Sequence, residues 1–156
     1  MRVLTLNVWG VRGDWGARRG VLVPGLRELE PDLFAFTEAI KTDDYAGDLS
    51  SDPDAANVRF ITGRQSLERT SACYRDAWEA IHPDERGETS KTENPLVADW
   101  DWPFKRLDYV FVRCGDHGGP TLEVAACERI FDHAVDGVWA SDHFGVWADL
   151  DLPRRR

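Results

Sequence analysis

Four polar sites interrupt or end apolar runs in this sequence. Asn7 follows Val3-Leu4-Thr5-Leu6, and Glu38 follows Leu33-Phe34-Ala35-Phe36-Thr37. Asp108 lies inside Leu107-Tyr109-Val110-Phe111-Val112, and Ser141-Asp142-His143 directly precedes a final apolar run. Two carboxylates and an amide at strand ends suit Mg²⁺, a hard cation that prefers oxygen ligands. A histidine beside a carboxylate can orient or deprotonate an attacking water. In α/β sheets such groups gather where strands emit loops at their carboxyl ends. Taken singly, each has a plainer explanation. Glu38 alone reads as a solvated or helix-capping carboxylate, Asn7 as a turn former, and Asp142-His143 as a weak signal. Asp108 is harder to dismiss, because an ionised group within an apolar strand is costly to bury unless it is paired. His82, His117 and His133 sit in polar, loop-like contexts and are expected to be solvated.

The elements that must position these groups follow from periodicity. Val3 to Asn7 reads as a short buried strand. Gly10, Gly13 and Gly16 loosen the next loop. Val21, Leu22, Leu26 and Leu29 recur at helical spacing over about Arg18 to Leu29, and Pro24-Gly25 should kink or reset that helix. Leu33 to Phe36 reads as a second buried strand ending at Glu38. The β-α-β order implies a parallel pair with a right-handed crossover. The Asp-rich stretch from Asp43 to Asp54 has the weakest regular pattern. Arg59 to Leu67 and Ala72 to Ile81 read as short helices, the second with Ser71 as N-cap. His82 to Trp102 reads as a long polar loop. Arg106 to Arg113, Leu122 to Ile130 and Phe144 to Leu152 read as strands, the last with Val146, Ala148, Leu150 and Leu152 on one face.

Composition narrows the function classes. The 156 residues, 42% hydrophobic and 30% charged, suit one soluble domain with a real core. Residues 1–152 are expected to form that domain and 153–156 a basic tail. No run approaches the roughly 18 apolar residues of a membrane span. The chain opens on an apolar strand without a charged leader, so a cytoplasmic location is expected; a leader already cleaved would leave no trace. The formal charge of −9 disfavours a grip on nucleic-acid phosphates, which needs a basic face. Cys73, Cys114 and Cys127 are too few and too widely spaced for a disulfide framework. Cys114-Gly115-Asp116-His117 lacks the partners of a metal site and reads as a turn with an idle or buried thiol.

Taken together, the segments resemble a known family. Leu4-Thr5-Leu6-Asn7-Val8-Trp9, Pro31-Asp32-Leu33-Phe34-Ala35-Phe36-Thr37-Glu38, Arg106-Leu107-Asp108-Tyr109-Val110-Phe111-Val112 and Ser141-Asp142-His143-Phe144-Gly145-Val146 are similar, in order, to four signature segments of the endonuclease/exonuclease/phosphatase superfamily. The resemblance implies an α/β fold, a shortened form of the family's α/β/β/α two-sheet sandwich. It implies a metal-dependent phosphoesterase that cleaves a phosphodiester or phosphomonoester by in-line attack of a metal-site water. Glu38 matches the family's principal metal ligand, Asp142 a second carboxylate near the metal, and Asn7 the amide lining the metal and phosphate site. His143 matches the catalytic histidine at the scissile phosphate, and Asp108 the carboxylate that orients it. Mg²⁺ is the implied cofactor, with Mn²⁺ as a substitute.

Two departures stand out. The family's G-D-F-N segment appears here as Gly47-Asp48-Leu49-Ser50, so Asp48 matches and Ser50 replaces the phosphate-positioning Asn. A hydroxyl donates one hydrogen bond but is shorter than an amide and lacks its fixed geometry. Gly47 also follows Glu38 closely, where the family inserts several strands carrying a further site residue, often a His. A sheet shortened in this way exposes an apolar edge, which a second copy of the chain can cover as a homodimer. Three readings follow: a phosphoesterase of unknown substrate, a non-catalytic remnant serving as an interaction module, and a nuclease. The charge argues against the last.

Overall fold

The structure, a computed structural model, describes residues 1–10, 12–37, 53–66, 68–97, 105–116 and 118–153. The elements run β1 (Arg2–Asn7), α1 (Trp15–Leu29), β2 (Leu33–Thr37), α2 (Ala56–Ile61), β3 (Tyr74–Asp76), α3 (Ala77–Ile81), β4 (Phe111–Arg113), β5 (Glu123–Ile130) and β6 (Gly145–Asp151). The strands form one four-stranded sheet, ordered β2-β1-β6-β5, and a two-stranded sheet of β3 and β4. β1 runs parallel to β2 and antiparallel to β6, and β6 is antiparallel to β5. Among the described residues the fold is therefore mixed α/β, a sandwich of two sheets.

The alternation within the central strands explains the layering. Side chains in a strand point alternately to opposite faces. On one face Val146, Ala148 and Leu150 of β6, joined by Val3, meet Ala77 and Trp78 of α3 and Val110 and Val112 beside and within β4. This core joins the two sheets. On the other face Leu6 and Val8 pack with Leu22 of α1, Phe131 and Ala140, and with Val21, Leu26, Phe36 and Ile130 around them. Leu4 and Leu6 are fully buried, which stabilises the fold by roughly 1.5–3 kcal/mol each. Val124 and Cys127 are three residues apart yet share the inter-sheet core. A register shift between Val124 and Ala126 makes that possible, since one extra residue in a strand flips its phase.

α1 is one continuous helix with Pro24 inside it and Asp14 as N-cap, accepting a hydrogen bond from the amide of Ala17 at 3.0 Å. The reset expected at Pro24-Gly25 does not occur. Gly25 serves packing instead: a Cβ there would meet Phe131 Cε1 at 2.4 Å, so its absence lets the helix close on β5's end. β2 is also unlike its expectation as a buried strand. It ends the four-stranded sheet, and Leu33 and Phe34 are more than half exposed, with Phe36 the residue that reaches the core.

The largest correction concerns Ala72 to Ile81. Instead of one helix capped by Ser71, Tyr74–Asp76 pairs with Phe111–Arg113, and a single helical turn then starts at Ala77 under an Asp76 cap. Apolar spacing at Ala77, Trp78 and Ile81 is helical, but cross-strand pairing claims the residues before it. The expected strand from Arg106 shrinks to Phe111–Arg113, and the helix expected from Arg59 becomes Ala56–Ile61. Leu152, expected on the buried face of the last strand, lies beyond β6 and is 81% exposed. His82 is not solvated: its Nε2 lies 2.7 Å from the Cys127 carbonyl and its ring packs on Trp78. No helix among the described residues is long and apolar enough to cross a membrane.

Candidate active site

Asn7, Asp108, Asp142 and His143 come together at one end of the central strands. Asn7 ends β1 and is 2% exposed. Its side-chain oxygen accepts a hydrogen bond from the Trp9 amide at 2.9 Å, the local turn that its residue type favours. Its backbone carbonyl accepts the Ser141 hydroxyl at 2.6 Å, which ties β1 to the chain entering β6. Ser141 Oγ also lies 3.2 Å from Asp142 Oδ1. The hydroxyl has one proton, and the shorter contact to the Asn7 carbonyl takes it.

His143 Nδ1 and Asp108 Oδ2 are 2.8 Å apart, with the two side chains 11% and 2% exposed. The carboxylate that looked costly in an apolar strand is thus paired, as its position demanded. With Nδ1 engaged by Asp108, Nε2 lies across the ring, the geometry that fixes a histidine tautomer. Asp142 is half-buried between Ser141 and His143.

Three buried polar residues that sequence patterns did not flag hold this cluster. Arg18 of α1, 2% exposed, donates to the carbonyls of Val8 and Ala140 from Nη1 and of Gly10 and Arg12 from Nη2, at 2.7–3.1 Å. It therefore fastens the loop after Asn7 to the residue before Ser141. Burial pulls its pKa down, and the negative charge of Asp142 partly offsets that pull. Asn94, fully buried, donates to the Ser141 carbonyl at 2.7 Å and accepts from the Leu96 amide at 3.0 Å. Thr89, also fully buried, accepts from the amides of Leu107 and Asp108. The only sequence signal for Asn94 and Thr89 was a polar stretch, which looks the same in any solvated loop.

Glu38, Asp48 and Ser50 lie outside the described residues. Thr37, the last residue of β2, pairs in register with Asn7, so the strand leading to Glu38 ends beside the site. Among the described residues no group of three or more His, Cys, Asp and Glu side chains gathers as a metal cluster. His117, in the Cys114 turn, is likewise outside the described residues. Cys114 donates its amide to the Cys73 carbonyl at 2.8 Å. Its thiol pKa is pushed up, chiefly by a hydrogen bond with Cys73, then by burial and by the charge of Cys73.

No protein-family model matches the sequence, and no curated protein matches it. Among solved structures, the chain is similar to D. rerio TDP2 humanized by 14 mutations, with a TM-score of 0.44 and 18% identity, covering 96% of this chain and 55% of that one. It is also similar to D. rerio TDP2 complexed with a single-strand DNA product, with a TM-score of 0.46 and 18% identity, covering 96% and 56%. The chain thus spans little more than half the length of the solved structures it matches.

Proposed function

We propose that this chain is a Mg²⁺-dependent phosphoesterase that hydrolyses a phosphodiester or phosphomonoester by in-line attack of a metal-site water on phosphorus. The observation that carries the reading is the buried Asp108–His143 pair at 2.8 Å, set beside Asp142 and Asn7. Asp108 holds the His143 ring through Nδ1, which orients Nε2 for the phosphate. His143 then serves as base toward the water or as electrostatic stabiliser of the phosphoryl group.

The oxygen chemistry of Asp142 and Asn7 fits Mg²⁺, which takes one or two carboxylates and relies on water and substrate phosphate for the rest. Glu38 and Asp142 would hold the ion with Asn7, and Mn²⁺ accepts the same oxygen donors. When bound, the metal neutralises charge developing on the phosphoryl oxygens. Asp48 would position the nucleophile, and Ser50 would give the phosphate one hydrogen bond. The acidic balance of the chain points away from long nucleic acids and toward a small or lipid phosphoester.

A panel of phosphomonoesters, phosphodiesters and single-stranded oligonucleotides, run with Mg²⁺, Mn²⁺ and EDTA, tests the reading. Hydrolysis that requires the metal and disappears in His143→Ala supports it. No turnover on any substrate with either metal would leave a non-catalytic family remnant as the better description. Metal binding has its own check. In calorimetry, Glu38→Ala and Asp142→Asn should weaken Mg²⁺ binding far more than Asp84→Ala, an exposed loop carboxylate. Equal effects in all three would count against a defined site.

A further inference from the structure

Thr89 has no place in the family resemblance, yet every backbone and side-chain oxygen it carries is used near the site. The residue is fully buried. Its amide donates to the Lys105 carbonyl at 2.9 Å, and its carbonyl accepts from the Phe144 amide at 2.7 Å. Its hydroxyl oxygen accepts from the amides of Leu107 at 3.0 Å and Asp108 at 3.2 Å. One side chain therefore supplies the acceptor for two successive amides that no strand among the described residues takes. The same residue's main chain holds the position immediately after His143. The two members of the Asp108–His143 pair are distant in sequence, and Thr89 touches the chain at both.

We propose that Thr89 is a positioning residue for the Asp108–His143 pair, its hydroxyl oxygen anchoring the Asp108 backbone while its carbonyl anchors the segment that carries His143. Valine has nearly the shape of threonine but no acceptor, so Thr89→Val deprives both amides of their acceptor, the Asp108 amide in a buried position and the Leu107 amide in a partly buried one. Freed of that anchor, the Asp108 backbone shifts and its carboxylate loses the line to Nδ1. Serine keeps the acceptor and loses a methyl group. The consequence for hydrolysis rests on the phosphoesterase reading; the positioning itself does not.

The experiment is proton NMR of the whole chain, following the low-field Nδ1–H resonance of His143, identified by its loss in His143→Gln. The core variant Val112→Ala is the control for general destabilisation. Thr89→Val should abolish or move that resonance and speed exchange of the Leu107 and Asp108 amides about tenfold or more. Thr89→Ser should restore both, and Val112→Ala should leave the resonance in place. If Thr89→Val does not fold, Thr89→Cys replaces it, matched to Thr89→Ser in lacking the methyl group and differing from it in a weakly accepting sulfur. A resonance unchanged in the acceptor-poor variant, or lost equally in Val112→Ala, overturns the proposal. On a substrate that the wild type hydrolyses, the valine variant should lower kcat with little change in KM, and the serine variant should recover it. A chain that shows the resonance pattern but hydrolyses no phosphoester upholds the positioning role and sinks the hydrolase reading. Hydrolysis with a resonance indifferent to Thr89 does the reverse.

Discussion

Two buried acid–base pairs are built from one short stretch of chain, and they do opposite things. Arg106 pairs with Asp76, its Nη2 2.8 Å from Oδ2 and its Nη1 hydrogen-bonded to Oδ1 at 3.2 Å. Two residues later, Asp108 pairs with His143 at 2.8 Å. The first pair is sealed, with side chains 3% and 1% exposed, and Asp76 also caps α3 through the Trp78 amide at 3.0 Å. Its Oδ2 contact is off the hydrogen-bonding angle, so it is an ion pair in distance rather than a second good hydrogen bond. The second pair keeps the histidine ring at the edge of solvent. Arginine cannot release its proton in a protein, whereas histidine can. A closed pair with a fixed charge fastens the junction of β3 and α3 to the segment that leads into β4. An open pair with a titratable ring is suited to moving a proton.

The sharpest way to break that contrast is to delete the two members of the open pair. His143→Ala and Asp108→Asn should each lower any hydrolysis by about 10²–10⁴-fold. The double variant should lose little more than either single one, because the two act as a unit. His143→Ala should also lose stability, because it leaves the Asp108 carboxylate buried and unpaired, whereas Asp108→Asn removes that charge and should lose less. A double variant that multiplies the two losses would mean that the residues work separately. The sealed pair should respond the other way. Arg106→Met strands the Asp76 carboxylate and should cost roughly 3–5 kcal/mol of stability, while whatever protein stays folded keeps its turnover.

The sign of the pH effect on Arg106→Met is fixed by Asp76. Burial raises its pKa and outweighs the opposing pull of Arg106. A carboxylate raised in the folded state favours folding below its unfolded pKa of about 3.9, and that contribution is lost as pH rises through the folded value. Removing Arg106 raises the folded value further. Urea unfolding should therefore show the gap between wild type and variant narrowing from pH 7 to pH 5. A gap that widens on acidification would mean that Asp76 is not the group left unpaired.

The open pair was legible in the sequence and the sealed one was not, for a physical reason. Asn7, Asp108, Asp142 and His143 sit where apolar runs stop or are interrupted, and such breaks are local signals. The strands β1, β5 and β6 show the same local clarity. Arg106 and Asp76 announce nothing locally, because each sits beside polar neighbours and their partnership depends on β3 meeting β4. The β3 segment itself was hidden behind the helical spacing of Ala77, Trp78 and Ile81. The strand expected from Arg106 stops short partly because Leu107 and Asp108 give their amides to Thr89 rather than to a neighbouring strand. Thr89 and Asn94 act through backbone hydrogen bonds, which leave no periodicity to read.

A smaller effect sharpens the picture of the open pair. Gly145 starts β6 two residues after His143, and a Cβ there would meet Ile130 Cγ2 at 2.9 Å and the Thr5 carbonyl at 3.0 Å. Backbone cannot yield as a flexible side-chain end can. Gly145→Ala should cost about 1–3 kcal/mol through overpacking, and it should depress activity as well, since β6 carries the histidine into place. Stability lost with full activity kept would show that the pair tolerates movement of its strand.

The smallest effect comes from the N-terminal cap of α1. Asp14 caps that helix through the Ala17 amide at 3.0 Å and lies on the exposed surface. Asp14→Ala should cost about 1 kcal/mol, the usual loss of an N-cap, readable as a small drop in the urea midpoint with unchanged slope. Arg18 sits one turn further on, held by four carbonyls at 2.7–3.1 Å, so fraying of the first turn should stop before it reaches the clamp. Turnover and Mg²⁺ affinity should therefore match the wild type. If removing the cap alone cuts activity several-fold, the loop after Asn7 depends on the whole helix rather than on Arg18. The open pair would then be held by long-range support, as the sealed pair is, and the division between the two would fail.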